Sequence, residues 1–274
     1  MYIGGKNGVA MKSLSLSVVI ITLNEEKNIA RCLDSVAFSK KVFSSVEVIV
    51  VDAQSRDKTA AIARQKGAKV LIRPWKGYSD QKNWAFSKAA GDWILSLDAD
   101  EELTMRLIEE IEEVIPESSE LKGFAIKRRA FFLGKWIKHC GWWPDPQWRL
   151  FQKGSGRFSD KPVHEGLEIT GKVSRLQEPM NHYTYDTLSK YLEKLDRYTD
   201  LGLIQVKPKK IKHWKLYLTL TPCLTFVRMF IFRLGFLDGW HGFVLCALSA
   251  YHEFSKSAKV WENQILKWKP WMPK

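Results

Sequence analysis

The 274-residue sequence has few cysteines, and their spacing excludes two common uses of cysteine. The four residues, Cys32, Cys140, Cys223 and Cys246, are scattered, with neither a C-x-x-C pair nor a compact framework. Disulfide-rich secreted folds and cysteine-based metal sites both need such clustering. We therefore predict four reduced cysteines, each buried as a small hydrophobic side chain.

The sequence also lacks the cleavage signal of a secreted protein. Lys12 precedes the apolar run 14–23, as in a signal peptide, but the run ends in the polar sequence N-E-E and no small-residue cleavage site follows. We interpret the run as a buried strand that follows a flexible leader over residues 1–12. The expected location is the cytoplasmic face of the inner (plasma) membrane, with peripheral or monotopic attachment and no signal peptide.

No apolar run has the length of an ordinary membrane span. Residues 216–232 form a run of 17 residues that contains Pro222 and Arg228, which is at the lower limit for crossing a bilayer. We therefore predict that residues 186–274 form a helical, membrane-associating extension whose helices lie in the membrane plane or re-enter it. One alternative is a core-packed helical hairpin. The other is a dimer interface, in which case the protein would be a homo-oligomer.

Positive charge is in excess, and much of it lies near the end of the sequence. The net charge is +13, and residues 207–274 contain 12 Lys or Arg against 3 Asp or Glu. Such a block attracts polyanions, but no recognised nucleic-acid-binding motif accompanies it. We therefore predict an anionic membrane surface as a partner and no nucleic acid. The residues expected at this surface are Lys207, Lys209, Lys210, Lys212, Lys215, Trp214, Trp240, Trp261, Trp268 and Trp271.

The first hundred residues alternate apolar, β-branched runs with segments of helical periodicity. Strands are predicted at 16–22, 46–51, 69–72 and 93–97, and helices at 27–36, 57–67 and 79–90. Repeated βαβ units of this kind predict an α/β fold with a doubly wound, mostly parallel, Rossmann-like sheet. We expect residues 13–120 to form one half of a catalytic domain and residues 121–185, which have longer loops, to form the other.

Polar residues follow three of the predicted strands. They are T-L-N-E at 22–25, D-A-Q-S at 52–55 and D-A-D-E at 98–101. Because ligands collect beyond the carboxyl ends of parallel strands, these residues are the first candidates for a site. Asp98 and Asp100 are spaced i and i+2, so both side chains can point to one side and share a hard divalent cation that holds a diphosphate. The alternative is an acidic cap for the helix that follows.

Four motifs in this order resemble family 2 glycosyltransferases of the GT-A fold. They are S-V-V-I-I-T-L-N-E at 17–25, V-V-D-A-Q-S-R-D-K-T at 50–59, Q-K-N-W-A at 81–85 and L-D-A-D-E at 97–101. Segments at 75–78, 163–165 and 235–239 are similar to the WaaE/KdtX-like group of bacterial lipopolysaccharide inner-core glucosyltransferases. The resemblance implies a metal-dependent, inverting transfer of a hexose, glucose in that group, from a nucleotide diphosphate-sugar such as a UDP-sugar to a hydroxyl of a lipid-linked saccharide.

The resemblance also implies roles for individual residues. Residues 13–120 are expected to be the nucleotide-sugar-binding half, and one further donor contact, Arg149, lies later in the chain. The residues expected to contact the donor are Thr22, Asn24, Glu25, Asp52, Ser55, Lys82, Asp98 and Arg149. Asp52 would accept hydrogen bonds from uracil or its ribose, and Asp98 would lie on the ribose side. Asp100, with Asp98 nearby, would bind the metal, which is magnesium or manganese. Lys82 stands where the family often has Arg, so it keeps the charge but loses the bidentate geometry.

Residues 121–185, the acceptor-binding half, supply candidates for the catalytic base. Glu165 in P-V-H-E-G is favoured as the base that takes the proton of the attacking hydroxyl, and Asp145 is the second choice. Residues 142–149 are predicted to form a rigid aromatic loop. The residues expected to contact the acceptor or membrane here are Trp142, Trp143, Trp148 and His164. An ordinary loop histidine is the alternative for His164.

Other functions remain open on the sequence alone. The main alternative is a polyprenyl-phosphate glycosyltransferase similar to dolichol-phosphate-mannose synthases, whose phosphate acceptor needs no strong base. A sugar-phosphate nucleotidyltransferase needs a Gly-rich loop after the first strand, whereas Gly4, Gly5 and Gly8 precede it. A lipid-binding scaffold would not need ordered carboxylates at three strand ends.

Overall fold

The computed structural model describes residues 14–159, 166–205 and 214–265. These residues divide into two compact units. The first unit contains 14–126, 148–159 and 166–178, and the second contains 127–147, 179–205 and 214–265. Each unit has its own hydrophobic core.

The strands of the described residues form one large sheet and one small pair. They are β1 (Leu14–Thr22), β2 (Phe43–Asp52), β3 (Lys69–Ile72), β4 (Trp93–Asp98), β5 (Glu101–Glu102), β6 (Leu121–Phe132), β7 (Lys135–Trp136), β8 (Asp145–Gln152), β9 (Gly156–Phe158), β10 (Leu167–Ile169) and β11 (Lys172–Tyr185). The large sheet has the order β3-β2-β1-β4-β8-β6-β11-β5, with β7 paired to β6. The smaller sheet pairs β9 with β10.

The first four strands are parallel, as the alternating pattern predicts. β1 pairs in parallel with β2 on one side and β4 on the other, and β3 extends the sheet beyond β2. β8 then joins β4 in the antiparallel direction. The prediction of an α/β fold with a mostly parallel, Rossmann-like sheet is confirmed, and its first half has the strand order 3-2-1-4.

Helices connect the strands and form much of the later chain. They are α1 (Ile29–Asp34), α2 (Thr59–Gln65), α3 (Tyr78–Ser87), α4 (Met105–Glu117), α5 (Leu188–Gln205), α6 (Trp214–Val227) and α7 (Gly239–Ile265). A π-helical turn, Arg228–Phe232, and a 3₁₀ turn, Gly235–Asp238, lie between α6 and α7. Helix α4 begins where the side chain of Thr104 accepts a hydrogen bond from the Leu107 amide, which is an N-cap.

The core of the first unit lies where the central strands meet α3. Strand β1 is buried over its last seven residues, because a parallel strand covered on both faces needs a continuous apolar run rather than an alternating one. Each such Val or Ile stabilises the fold by roughly 1.5–3 kcal/mol. The buried members of this core are Val19, Ile21, Ile49, Val51, Ala85, Phe86, Ala89, Ile94, Phe151 and Leu167.

Gly91 allows the turn before β4 to lie directly against β1. A Cβ atom at this position would come within 2.7 Å of the Ser17 nitrogen and 2.8 Å of the Leu16 carbonyl carbon. The Gly91 amide donates to the Ser17 hydroxyl at 2.8 Å, and that hydroxyl donates to Glu47 at 2.5 Å. The need for this close approach explains why residue 91 is a glycine better than its position after a helix does.

The second unit packs the β6–β7 hairpin against the later helices. Its buried core consists of Phe132, Ile137, Cys140, Tyr191, Leu195, Met229, Leu245 and Cys246. The sulfur atoms of Cys140 and Cys246 are 3.7 Å apart as free thiols. The prediction of four buried cysteines is wrong for one of them, because Cys223 lies on an exposed side of α6.

Asp238 connects the tail helices to the segment that follows β7. This carboxylate is 2% exposed and accepts hydrogen bonds from the backbone amides of Lys138 (3.2 Å) and His139 (2.8 Å). The Asp238 backbone carbonyl accepts a bond of 2.8 Å from the Lys135 ammonium. The Cys140 amide donates to the Arg233 carbonyl at 3.0 Å. The segment that follows β7 is therefore anchored on the turn between α6 and α7.

The outer side of the tail helices carries large exposed apolar side chains. Phe232 is 77% exposed and Trp240 is 80% exposed, and apolar residues along α6 accompany them. In the described part of the chain, no single helix has the length and apolar character needed to cross a membrane. The segments Leu216–Phe232 and Gly235–Glu262 satisfy that test together, with a bend of 73° between them.

One predicted loop is partly a strand. Residues 142–149 were expected to form a loop because of their prolines and tryptophans, whereas β8 begins at Asp145. Pro146 is the second residue of β8, near the strand end, where the missing amide donor costs least. The buried residues Leu150 and Phe151 then pair with β4.

Candidate active site

The carboxyl ends of three adjacent strands meet at one edge of the first unit. Asp52 at the end of β2 is the register partner of Thr22 on β1, and Asp98 at the end of β4 is the partner of Ile21. The two carboxylates therefore flank the end of β1 from opposite sides. This is the edge at which the sequence predicts ligand binding.

Asp52 is fixed by the turn that follows it. Its two oxygens accept hydrogen bonds from Ser55, one from the amide at 2.9 Å and one from the hydroxyl at 2.5 Å. The same hydroxyl accepts a bond of 2.8 Å from the Asn24 amide. Asn24 and Gln54 have φ values of 55° and 63°, a region that Asn tolerates better than most residues. The predicted residues Asn24, Asp52 and Ser55 are thus brought together.

A second set of hydrogen bonds joins the loops after β1 and β2. The Glu25 amide donates to the Thr59 hydroxyl at 2.8 Å, and Asp57 accepts from the Glu26 amide at 3.1 Å. Burial would raise the pKa of Asp57, but hydrogen bonds from Thr59 and nearby amides outweigh it and lower the pKa. Within the described residues, the buried hydroxyl of Thr22 has no hydrogen-bond partner, so it is available to a ligand.

Asp98 is held between two buried cations. Its Oδ1 atom lies 2.7 Å from the Lys82 ammonium, and its Oδ2 atom lies 2.5 Å from the Arg149 guanidinium. The same nitrogen of Arg149 is 2.6 Å from Oε1 of Glu101, whose Oε2 accepts a bond of 2.9 Å from the Asp98 amide. Lys82 and Arg149 are 4% and 5% exposed, and Glu101 is fully buried. We call these four residues the Asp98 cluster.

The charges of the Asp98 cluster shift one another's pKa values. Burial would raise the pKa of Asp98, but the positive charges of Arg149 and Lys82 outweigh it and hold that pKa well below its usual value. Burial lowers the pKa of Lys82, and the attraction of Asp98 offsets this only in part. Burial would also lower the pKa of Arg149, but Asp98 and Glu101 raise it. The cluster is a compact set of two cations and two anions.

Lys82 reaches the cluster from the buried face of α3. The buried residues of this helix, Ser79, Gln81, Lys82, Ala85 and Phe86, follow helical spacing. The ammonium lies 3.4 Å from the Ser96 hydroxyl and 5.3 Å from the centre of the Phe158 ring. A lysine on an otherwise packed face needs a buried anion, and Asp98 supplies it.

Asp100 lies in the turn directly after β4. Burial raises the pKa of the nearby Cys32 thiol, and the negative charges of Glu101, Asp100 and Asp98 raise it further. Three carboxylates therefore act on one buried thiol. Even so, the described residues contain no group of three or more His, Cys, Asp or Glu side chains that could hold a metal ion.

The predicted acceptor residues lie in different surroundings. Trp148 packs against the core of the first unit, whereas Trp142 packs against the core of the second. Trp143 contacts Trp136 edge to face, with ring centres 5.4 Å apart. Trp148 therefore belongs to the first unit, and Trp142 and Trp143 belong to the second.

Asp145, the second choice for the base, is engaged by two neighbours. One oxygen accepts a bond of 2.7 Å from the Gln147 amide group, and the other forms an ion pair with the Arg128 guanidinium. Arg128 was not predicted as a site residue, because it lies on β6 and meets Asp145 across the pairing of β6 with β8, which spacing does not reveal. Gln147 was not predicted either, although it lies only two positions from Asp145 on β8.

Several predicted residues lie outside the described part of the chain. They are Glu165, His164, Lys207, Lys209, Lys210, Lys212, Trp268, Trp271 and the leader 1–12. Trp214 is the first residue of α6. The catalytic-base assignment to Glu165 and the basic part of the predicted membrane surface therefore stay predictions.

The parallel strand order and the acidic ends of β2 and β4 agree with the GT-A fold that the sequence predicts. The sequence model of Glycosyl transferase family 2 matches residues 17–153, which is half of the chain, so the chain belongs to this family. The predictions of a glycosyltransferase and of the GT-A fold are confirmed.

Similar proteins cover nearly the whole chain. An uncharacterized glycosyltransferase of Rickettsia felis is 32% identical over 91% of this chain and 90% of its own length. The lipopolysaccharide core biosynthesis glycosyltransferase LpsC of Rhizobium meliloti is 29% identical over 94% of this chain and 96% of its own. Among solved structures, S. aureus TarS 1–349 in complex with UDP has a TM-score of 0.46 and 16% identity, covering 95% of this chain and 94% of that one.

Proposed function

We propose that this glycosyltransferase moves a hexose, most simply glucose, from a UDP-sugar to a hydroxyl of a membrane glycolipid in the lipopolysaccharide inner core, with inversion at the sugar carbon. The observation that carries the proposal is the convergence of Asp52 and Asp98 on one sheet edge, each held by its own hydrogen-bond network. The similarity to LpsC, a lipopolysaccharide core biosynthesis enzyme, supports the acceptor class.

The donor would bind along this edge through two carboxylates that accept hydrogen bonds and through one hydroxyl that has no other partner among the described residues. A uracil edge and ribose hydroxyls are hydrogen-bond donors, so carboxylates that cannot move are suitable partners. Asp52 and Asp98 are both held by hydrogen bonds or ion pairs. Thr22 lies on β1, the strand between theirs, and its buried hydroxyl has no hydrogen-bond partner among the described residues. Because Lys82 and Arg149 are paired with Asp98 and Glu101, we assign them the role of positioning Asp98.

We also propose that a magnesium or manganese ion completes the donor site. Magnesium in enzymes usually keeps several waters and takes one or two carboxylates together with substrate phosphates. Asp100 fits the role of protein ligand better than Asp98, whose two oxygens are each paired with a cation. When bound, the ion would offset negative charge on the departing nucleoside diphosphate.

Inversion requires a single displacement and one base for the acceptor hydroxyl. We propose Glu165 for this role. Both oxygens of Asp145 are engaged by Arg128 and Gln147, which makes Asp145 the weaker candidate. Substituting Glu165→Gln should lower kcat by about 10²–10⁴-fold, whereas Glu168→Gln, an exposed neighbour on β10, should change it less than twofold.

Near-normal activity of the Glu165→Gln variant would exclude the base assignment. It would instead favour a polyprenyl-phosphate acceptor, which needs no strong base. Assays with radiolabelled nucleotide-sugars against extracted saccharide lipids and against polyprenyl phosphate would separate these two reactions.

The donor proposal has a separate test that needs no acceptor. UDP with manganese at about 100 times Kd should stabilise the protein by about 2.7 kcal/mol, which raises Tm by about 5–10 °C in a chain of this size. Asp100→Asn should abolish the manganese-dependent part, whereas Asp186→Asn, an exposed matched change, should not. An equal response in the Asp100→Asn variant would refute the ligand assignment.

We propose that the tail attaches the enzyme to the cytoplasmic face of the inner membrane as a peripheral or monotopic protein. The exposed apolar side of α6 and α7, with Phe232 and Trp240 as its most exposed residues, supports this proposal. The double change Phe232→Ala with Trp240→Ala should reduce sedimentation with phosphatidylglycerol vesicles. Met105→Ala, a 62% exposed residue of the first unit, should not. Equal sedimentation of both variants would contradict the attachment.

A further inference from the structure

The β6–β7 hairpin of the second unit has two different faces. Phe131 pairs with Trp136 and Phe132 with Lys135, around a turn at Leu133 and Gly134 with positive φ values of 50° and 80°. Because side chains alternate along strands, Phe132 and the following Ile137 point into the core, where both are fully buried. The other face carries Arg129, Phe131, Trp136 and Lys138, and we call it the Trp136 face.

Two cations lie against one indole on the Trp136 face. The Arg129 guanidinium carbon is 5.1 Å from the centre of the Trp136 ring, and the Lys138 ammonium is 4.8 Å from it. Within the described ranges, neither cation has an Asp or Glu side chain within ion-pair distance. The adjacent Arg128 differs, because it forms an ion pair with Asp145.

The Trp136 face also holds two buried donors without acceptors. Among the residues that the structure describes, neither Nε of Arg129 nor Nε1 of Trp136 has a hydrogen-bond partner, although both atoms are buried. A buried unsatisfied donor costs about 1–3 kcal/mol, so native proteins seldom leave one without a water, ion or ligand. Guanidinium, ammonium and indole N–H groups are all donors without acceptor capacity. The complementary ligand is therefore rich in acceptor oxygens and negatively charged.

We propose that the Trp136 face binds an oxyanion substituent, a phosphate or carboxylate, of the saccharide acceptor. The inference rests on the proposed transfer to a lipid-linked saccharide and specifies that this acceptor is anionic. The residues assigned to the donor belong to the first unit, whereas Arg129, Trp136 and Lys138 belong to the second. Two buried donors at fixed positions fit one defined group better than the diffuse charge of a lipid surface.

The test compares the double change Arg129→Gln with Lys138→Gln against a matched double change, Lys153→Gln with Arg175→Gln. The control removes two exposed positive charges from the first unit. Purified full-length proteins are sedimented with phosphatidylcholine vesicles that contain one of four lipids. These are a phosphorylated saccharide lipid, a carboxylated one, a neutral one and phosphatidylglycerol. The acceptor KM, donor KM and kcat are measured with the same saccharide lipids.

We expect the Arg129/Lys138 variant to bind the phosphorylated or the carboxylated saccharide lipid at least about tenfold more weakly, because it loses two charged groups and one charge-assisted contact alone is worth about that factor. Its acceptor KM should rise by the same factor, with kcat and donor KM within twofold of the parent. Binding to the neutral saccharide lipid and to phosphatidylglycerol should not change. The control variant should behave like the parent on all four lipids.

Two results would overturn the proposal. One is unchanged binding to both anionic saccharide lipids, and the other is an equal loss on phosphatidylglycerol, which would assign the face to lipid headgroups. Arg129→Lys keeps the charge but not the planar fork, so an intermediate KM from this variant supports the site even if the double variant unfolds. Weakened vesicle binding without any sugar transfer in the parent would retain the anion site and refute the proposed function.

Discussion

Replacing Arg149 with Gln is expected to destabilise the first unit severely. The guanidinium lies 2.5 Å from Asp98 and 2.6 Å from Glu101 and is 5% exposed. Its removal leaves the fully buried Glu101 without that cation and Asp98 with Lys82 alone. Breaking a buried ion pair from one side costs about 3–5 kcal/mol. In a chain of this length that corresponds to a fall in Tm of about 6–20 °C.

The effect of Arg149→Gln should depend on pH in a defined direction. Because the folded-state pKa of Asp98 is lowered, its contribution to stability is present above the unfolded pKa of about 3.9 and is lost as pH falls through the folded pKa. The difference in unfolding free energy between parent and variant should therefore be largest at pH 7. This difference should become smaller below about pH 4.

Urea denaturation followed by tryptophan fluorescence measures both quantities. Arg175→Gln removes an exposed arginine of the same unit and should change the unfolding free energy by less than about 0.5 kcal/mol. If Arg149→Gln is no more destabilising than this control at pH 7, the Asp98 cluster does not carry the energy assigned to it.

Two further changes test close packing in each unit. Gly91→Ala should cost about 1–3 kcal/mol, because the new methyl group would lie 2.7 Å from the backbone nitrogen of Ser17, which cannot move aside. A melting temperature equal to that of the parent would mean that the turn relaxes freely. Asp238→Ala should cost about 3 kcal/mol by leaving the amides of His139 and the preceding residue without their acceptor. Asp186→Ala, at an exposed ion-pair residue, is the control. An equal effect of Asp238→Ala and Asp186→Ala on the free energy of unfolding in urea would contradict the anchoring role of Asp238.

The sequence was sufficient to predict the parallel half of the sheet. Buried parallel strands consist of continuous β-branched runs, and the predicted strand 69–72 matches β3 at both ends. The polar residues that follow these runs are necessarily placed together once the strands are parallel and adjacent. Asp52 and Asp98 could therefore be proposed as neighbours before their contacts were known.

The partners of these residues could not be predicted in the same way. Arg149 binds Asp98 across 51 positions and Asp238 binds the His139 amide across 99, and neither pairing leaves a periodic signal. Prolines and tryptophans concealed the start of β8. The two distant pairings depend on the tertiary fold. The start of β8 does too, because the local sequence by itself favours a loop there.

The sequence also left three interpretations of the tail open: a membrane-bound extension, a core-packed hairpin or a dimer interface. Leu245 and Cys246 on α7 are fully buried, while Trp240 on the same helix is 80% exposed. One helix therefore serves the core with one side and presents apolar surface with the other. Hydropathy alone could not separate the two sides.

The attachment of Asp238 to the segment after β7 has a practical consequence for anyone who wants a more tractable form of this enzyme. Cutting the chain before α6 would remove the carboxylate that binds the segment after β7 and three of the eight buried core residues of the second unit. Loss of activity in such a truncated protein would therefore say nothing about release from lipid. Polar substitutions confined to exposed positions such as Phe232 and Trp240 would keep the core of the second unit and reduce only its exposed apolar surface.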